Sequence, residues 1–340
     1  MAKPDMAQPR HVLVTGADGY LGRLLVRRLL GQVDGLPEGF GRLGPGTMLT
    51  LVDRGFGAAH PADAVPAAAP AVRRVACDLR QAQALAAALP MPPDLVFHLA
   101  GITSRQAEDD WTLGMQVNLA ATLGLLEALR ALAPAGDRPP VWVQASSIGV
   151  FGVPLPTAVD DDTAVAPTLS YGTAKRMVEL LLADATRRGW VDARSLRLPS
   201  VVARPAAPDG ALSAFASDLI REPLEGRDYT CPIGPEGTLW LLSGATCAEQ
   251  LLHAATLPAG GLPPGRAWTL PALHARVDEV VQALGRRHGA ATAARVRYRP
   301  DPALHAQFAR WPPLRTPLAD RLGFRHDGTL ERLLERALAA

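Results

Sequence analysis

Tyr171 and Lys175 are four residues apart, at the start of a stretch in which Val178, Leu181 and Leu182 recur at helical spacing. That separation puts two side chains on one helix face, about one turn apart. A free phenol titrates near 10 and is a poor base at neutral pH. A neighbouring ammonium and a positively charged nicotinamide ring favour the phenolate. Such a pair can take a hydroxyl proton while hydride leaves the same carbon. On its own, Tyr-x-x-x-Lys is also what a solvated helix face looks like. Ser146 and Ser147 follow the apolar run 141–145. They sit where an open α/β sheet binds its ligands, and a hydroxyl there can polarise a reacting oxygen. Serines capping a turn read the same way.

A second group of residues suits a phosphate. The apolar run 11–15 leads into Gly16-Ala17-Asp18-Gly19-Tyr20-Leu21-Gly22 and then a leucine-rich helical stretch. Gly16 allows a tight turn, Gly19 a close backbone approach, and Gly22 close packing of helix on strand. The helix N-terminus then aims its free N–H groups at a pyrophosphate. A strand before and a helix after are the context this motif needs. Asp53 ends the next strand-like run. A carboxylate there can accept both ribose hydroxyls and repels a 2′-phosphate, which favours NAD over NADP. Asp53 lies 37 residues after Gly16, beyond the usual spacing of about 20. The Gly/Pro-rich loop 34–47 accounts for the excess. A turn residue ending a strand is the alternative reading for Asp53, and also for Asp78, which follows a strand where it could meet adenine.

These groups need a scaffold, and the pattern supplies one. Strands are predicted at 11–15, 48–53, 72–77, 95–99, 141–145 and 193–198, with helices at 20–33, 109–132 and 171–188. Short apolar strands alternating with helices indicate an α/β fold, a Rossmann-type doubly wound parallel sheet covered on both faces. The segment 60–70 is a second loop. After residue 200, Pro205, Pro208, Pro223, Pro232 and Pro235 break the pattern. A strand at 240–243, a helix to 257, a strand at 267–270 and helices at 276–288 and 329–338 follow. The expected division is an NAD-binding part, 1–200, joined by about 239–271. A smaller C-terminal substrate-binding lobe takes 201–238 and 272–340, over the carboxyl edge of the sheet.

Composition narrows the class further. The chain has 340 residues, 48% of them hydrophobic, enough for a sizeable core. Its 35 basic and 33 acidic residues give a net charge of +2, unlike a dedicated nucleic-acid binder. Cys77, Cys231 and Cys247 show neither disulfide-framework nor zinc spacing, and no metal is expected. Residues 1–10 lack the apolar run of a signal peptide. No charge-free apolar stretch of about 18 residues predicts a membrane span. A cytoplasmic location follows as the default.

Together the residues resemble an extended short-chain dehydrogenase/reductase. The match comprises Thr15-Gly16-x-x-Gly19-x-x-Gly22, Asp53, His98-Leu99-Ala100-Gly101, Asn118, Ser146-Ser147, Tyr171-x-x-x-Lys175, Leu196-Arg197-Leu198-Pro199 and Leu322-Gly323-Phe324. The resemblance implies Ser147, Tyr171 and Lys175 as the catalytic groups. It implies NAD contacts from Gly16, Gly19, Tyr20, Leu21, Gly22, Asp53, Asp78, Leu79, Leu99, Ala100, Gly101, Asn118, Tyr171, Lys175, Pro199 and Val202. His98 is expected to pack beside the cofactor. Phe151-Gly152 stands where the family usually has Tyr-Gly, which weakens the case for a sugar-nucleotide substrate. The stretches 146–152, 168–175, 215–217, 220–224 and 239–243 resemble members that oxidise a four-carbon sugar acid. That implies oxidation of a C2 hydroxyl to the 2-oxo acid.

An acid substrate needs a cation, and an arginine fork binds both carboxylate oxygens. Arg204 and Arg105 are the candidates, with Ser104 beside the latter; surface ion pairs are the alternative for both. A nucleotide-sugar epimerase or dehydratase retaining its NAD is the competing activity, and a non-catalytic NAD-sensing protein the competing class. The family often pairs two long helices across a two-fold axis, so a homodimer is expected of 109–132 and 171–188.

Overall fold

The computed structural model describes residues 9–34, 36–132, 138–206 and 213–338. Most of the stretch 1–10, read above for a leader, lies outside them. The strands are β1 (His11–Thr15), β2 (Met48–Asp53), β3 (Ala71–Ala76), β4 (Leu95–His98), β5 (Val141–Ser147), β6 (Asp192–Leu198), β7 (Ser200–Val202), β8 (Tyr229–Cys231), β9 (Thr238–Ser243), β10 (Ala267–Thr269), β11 (Leu273–Arg276) and β12 (Val296–Tyr298). The helices are α1 (Tyr20–Leu29), α2 (Ala82–Ala88), α3 (Ser104–Asp109), α4 (Trp111–Met115), α5 (Ala121–Leu132), α6 (Ser170–Arg187), α7 (Phe215–Leu224), α8 (Gly244–Thr256), α9 (Val277–His288), α10 (Ala290–Ala293), α11 (Pro302–Phe308), α12 (Pro317–Arg321) and α13 (Leu330–Leu338).

Successive residues of the central strands point to opposite faces, and both faces are apolar. In β1, Val12 and Val14 enter one core layer while Leu13 enters the other. Likewise Val141 and Val143 of β5 face the first layer and Trp142 the second. Helices α1 and α8 close the first layer with Leu25, Leu29, Leu251 and Leu252. Helices α2, α5 and α6 close the second with Leu85, Leu125, Leu129, Val178 and Leu182. Each such leucine contributes roughly 1.5–3 kcal/mol by leaving water. The result is a seven-stranded, all-parallel sheet in the order β10-β6-β5-β4-β1-β2-β3. The order reverses between β1 and β4, so a crevice opens there at the carboxyl ends.

Two expectations need correction. The helix expected over 109–132 is interrupted: Asp110 has φ −134 and ψ 92, and its carboxylate accepts the Leu113 N–H at 2.9 Å. An aspartate at that position caps a new helix rather than continuing the old one. Asp109 therefore ends α3, and a π-helical turn, Gln116–Ala120, separates α4 from α5. The helix expected over 20–33 stops at Leu29, because Gly31 turns the chain at φ +68. The strand expected at 240–243 is present, in a sheet of its own. As β9 it pairs with β7 and β11 in a separate three-stranded sheet, while α8 packs on α1 and β10 pairs with β6. The run Trp111–Leu132 is apolar enough by length and composition alone to cross a membrane. Here its α5 half lays Leu125, Leu126 and Leu129 onto the sheet.

Candidate active site

One cavity of about 340 Å³ runs from the glycine turn after β1, past the ends of β4, β5 and β6, to the C-terminal segment. Gly16, Gly19, Tyr20, Leu21 and Gly22 line its first end. Gly16 has φ +70, and a Cβ there would meet the Ala100 amide nitrogen at 2.7 Å. A Cβ on Gly22 would lie 2.0 Å from the Gly16 carbonyl oxygen. The turn can close this tightly against its neighbours only because these positions lack side chains, as a dinucleotide-binding turn requires. Gly19 precedes the first turn of α1 with no side-chain cap, leaving helix N–H groups for an anion. Asp53 stands at the edge of the cradle, its Oδ2 accepting the Asp18 N–H at 2.9 Å. These residues fit NAD.

The middle of the cavity holds the expected proton-transfer groups. Ser147, Tyr171 and Lys175 all line it. The Lys175 ammonium is buried, lies 5.6 Å from the Tyr171 ring centroid, and donates to the Ala145 carbonyl at 2.9 Å. The Ser147 hydroxyl accepts the Gly149 N–H at 3.0 Å, which aims it beside the start of α6. Gly172 makes that approach possible: a Cβ there would fall 1.9 Å from the Gly149 carbonyl oxygen. Ser146 lines the cavity too, but its hydroxyl is engaged by α6. Its hydroxyl donates to Glu179 Oε1 at 2.7 Å, and Glu179 is fully buried. Arg197 grips the same carboxylate with two bonds of 3.0 Å, and Arg176 adds a third at 3.0 Å. Residues 171, 175 and 179 thus form one helix stripe that ties α6 to consecutive residues of β5.

The remaining positions divide cleanly. Leu99, Gly101, Pro199 and Ser104 line the cavity. Asn118 lies behind it, with Oδ1 accepting the Ile102 N–H at 2.9 Å and Nδ2 donating to the Ile102 carbonyl at 3.3 Å. The π-helical turn presents it there. Ala100 meets the back of the Gly16 turn. Val202 is buried beneath the cavity, its carbonyl accepting from the Tyr20 hydroxyl at 3.5 Å. Asp78 and Leu79 border a separate shallow pocket at the end of β3, where Arg80 clasps the Asp78 carboxylate. His98 is fully buried between Thr15 and Thr122, at 2.6 and 3.0 Å. Burial, with the charge of Lys175, pushes its pKa down to about 3, so it stays neutral.

Arg204 lines the cavity too, close enough to Tyr20 and Tyr171 to feel their charges, whereas Arg105 is exposed on α3 and does not line it. Among the described residues the Arg204 guanidinium has no hydrogen-bond or ion-pair partner; only its carbonyl is engaged, by Arg221 at 3.0 Å. Burial pushes its pKa below the ordinary arginine value, opposed by the charges of Tyr171, Tyr20 and Asp218. A half-buried arginine beside a phenol, with no partner among the described residues, is a ready anion site. Phe308 and Trp311 line the cavity from the C-terminal segment.

The sequence reading missed Glu179, Phe308 and Trp311, and the roles of Arg197 and Gly172. Of the first three, only Glu179 left a signal, its spacing of four from Lys175.

Residues 12–240 match the pattern of the NAD dependent epimerase/dehydratase family. The chain is 39% identical over 330 residues to a D-erythronate dehydrogenase of Cupriavidus necator, covering 95% of this chain and 96% of that one. It is 33% identical to a D-erythronate dehydrogenase of Haemophilus influenzae, covering 96% and 98%. Among solved structures it resembles a nucleoside-diphosphate-sugar epimerase from Agrobacterium tumefaciens, with TM-score 0.82, 32% identity, and 98% and 95% coverage.

Proposed function

The chain belongs to the NAD dependent epimerase/dehydratase family, and on that premise we propose that it oxidises the C2 hydroxyl of a four-carbon sugar acid, D-erythronate, to the 2-oxo acid. The observation that carries this reading is the convergence of Ser147, Tyr171, Lys175 and Arg204, whose guanidinium has no partner among the described residues, on one cavity that begins at the glycine cradle. Arg204 binds the substrate carboxylate with its fork. Ser147 holds the C2 oxygen, and Tyr171 takes its proton. Lys175, fixed by the Ala145 carbonyl, supplies the positive charge that favours the phenolate. NAD, when bound, supplies the acceptor for the C2 hydride. Gly16, Gly19 and Gly22 hold its pyrophosphate, and Asp53 its ribose. The larger sheet binds the cofactor. The smaller lobe gives the substrate Arg204, Ser213, Phe308 and Trp311.

Its setting is the cytoplasm, where the unpaired Cys77, Cys231 and Cys247 stay reduced. Its assembly is a homodimer through the outer side of α4, α5 and α6, where Trp111, Leu123, Met177 and Leu180 are exposed.

The likeness to the Agrobacterium protein favours one second reading, epimerisation with retained cofactor. Purified protein incubated with NAD and either D-erythronate or nucleotide sugars separates the two. Net NADH with the sugar acid supports the dehydrogenase. No net NADH, with a nucleotide sugar interconverted, rejects it.

A further inference from the structure

Phe151, which replaces the tyrosine of the resemblance, does not line the cavity. Its buried ring stands edge-on to Trp240, with centroids 6.3 Å apart and planes at 90°. The Arg197 guanidinium lies over its ring at 5.5 Å. Trp240, fully buried in β9, packs in turn on Trp311, centroids 4.6 Å apart. Among the described residues, Trp311 and Phe308 are the only ones beyond Ser213 that line the cavity.

The indole of Trp311 is pinned from several sides. Its Nε1 donates to the Phe308 carbonyl at 3.0 Å. Its own carbonyl accepts from His274 Nε2 at 2.8 Å. The Trp240 Nε1 donates to the Pro312 carbonyl at 2.6 Å, and the Thr238 N–H to the Ala309 carbonyl at 2.9 Å. Backbone on both sides of Trp311 is thereby fixed to the three-stranded sheet. A side chain so held cannot swing aside to admit a longer ligand.

We propose that Trp311, seated on the Phe151–Trp240 stack, is a specificity-determining residue that limits the carbon-chain length of the sugar acid. This rests on the reading that Arg204 takes the carboxylate and Tyr171 the C2 hydroxyl. An acid held at C1 and C2 has one direction left for its remaining carbons. Phe308 and Trp311 are the large side chains that the C-terminal segment brings into this cavity, and they form the wall that meets the chain end.

The test uses Trp311→Ala and the more conservative Trp311→Phe, each alone and combined with Tyr171→Phe. Turnover of D-erythronate, D-ribonate and D-gluconate is measured for the single variants. Calorimetric binding of the same acids is measured for the NAD-loaded Tyr171→Phe forms, which gives a readout without turnover. Wild type is expected to favour the four-carbon acid. Trp311→Ala shifts the gluconate-to-erythronate ratio of kcat/KM, and of affinity, by roughly tenfold towards the longer acid. Trp311→Phe shifts it the same way by less. Should Trp311→Ala fail to fold, Trp311→Phe decides alone. Unchanged ratios, in a protein that oxidises D-erythronate, overturn this inference and leave the functional reading standing. A wild type that neither binds nor oxidises any of the acids overturns both.

Discussion

Residue by residue, the site separates groups that act from groups that hold. In the proposed reading Arg204 belongs to the first kind. Arg204→Ala is expected to raise KM for the sugar acid by about 10–100-fold, the loss of roughly 1.5–3 kcal/mol from a charged hydrogen bond, while KM for NAD stays unchanged. Equal KM values for the acid in both proteins would remove Arg204 from substrate binding. Glu179 belongs to the second kind. It is buried and bonded to Ser146, Arg197 and Arg176, so its loss strands the largely buried Arg197 cation. Glu179→Ala is expected to lower unfolding stability by about 3–5 kcal/mol in urea titration. Ser146→Ala, which spares the ion pair, is expected to stay within about 0.5–1.5 kcal/mol of wild type. Similar losses in the two variants would mean the ion pair carries little weight.

At the scale of elements, the active site depends on how closely α6 meets the turn after β5. Gly to Ala inside a helix usually stabilises by about 1 kcal/mol. At Gly172 the sign reverses, because the added methyl meets the Gly149 carbonyl oxygen at 1.9 Å. Gly172→Ala is expected to lose about 1–3 kcal/mol, with a lower melting temperature and reduced kcat as Ser147 and Tyr171 part. A melting temperature at or above wild type would contradict this. Strand β4 offers a pH test. His98 is neutral in the fold with a pKa near 3, whereas the unfolded chain protonates it below about 6.5. Its folded pKa is lowered, so its contribution is intact above about 6.5 and is lost as pH falls towards 3. Chemical unfolding across that window is expected to show a slope about 1.4 kcal/mol per pH unit steeper than His98→Gln. Parallel slopes would place the acid sensitivity elsewhere.

Elements also explain what the chain made legible. The glycine turn, the parallel strands and the Tyr171–Lys175 stripe are local patterns, fixed by periods of two and of three to four residues. Asp110 was a visible capping residue inside an apolar run, and the run's periodicity hid it. The partners of Glu179 and the neighbours of Trp311 were not legible. Arg197 lies on another strand, and Trp240 is 71 residues before Trp311. Contacts set by the return of the chain leave no local signature. The two candidate arginines show the same limit: Arg105 and Arg204 both follow strands, and only tertiary packing puts one in the cavity and the other in solvent.

Taken whole, the molecule is a sheet that places the cofactor cradle and a proton-transfer pair at one edge, with a smaller assembly of strands and helices supplying the far wall. The outer side of α4, α5 and α6 leaves Trp111, Leu123, Met177 and Leu180 exposed. Light scattering is expected to give a dimer for the wild type, and a monomer for Leu180→Glu with its fold retained, because a charge there cannot be buried unpaired. A wild-type monomer at working concentrations would assign that surface to something other than self-association.

The central claim is that the Tyr171 oxygen strips the substrate alcohol. Tyr171→Phe keeps the ring and deletes that oxygen. With saturating NAD and D-erythronate, followed by NADH absorbance, the variant is expected to lose about 10²–10⁴-fold in kcat while binding NAD as tightly as wild type. Turnover at the wild-type rate would contradict the account.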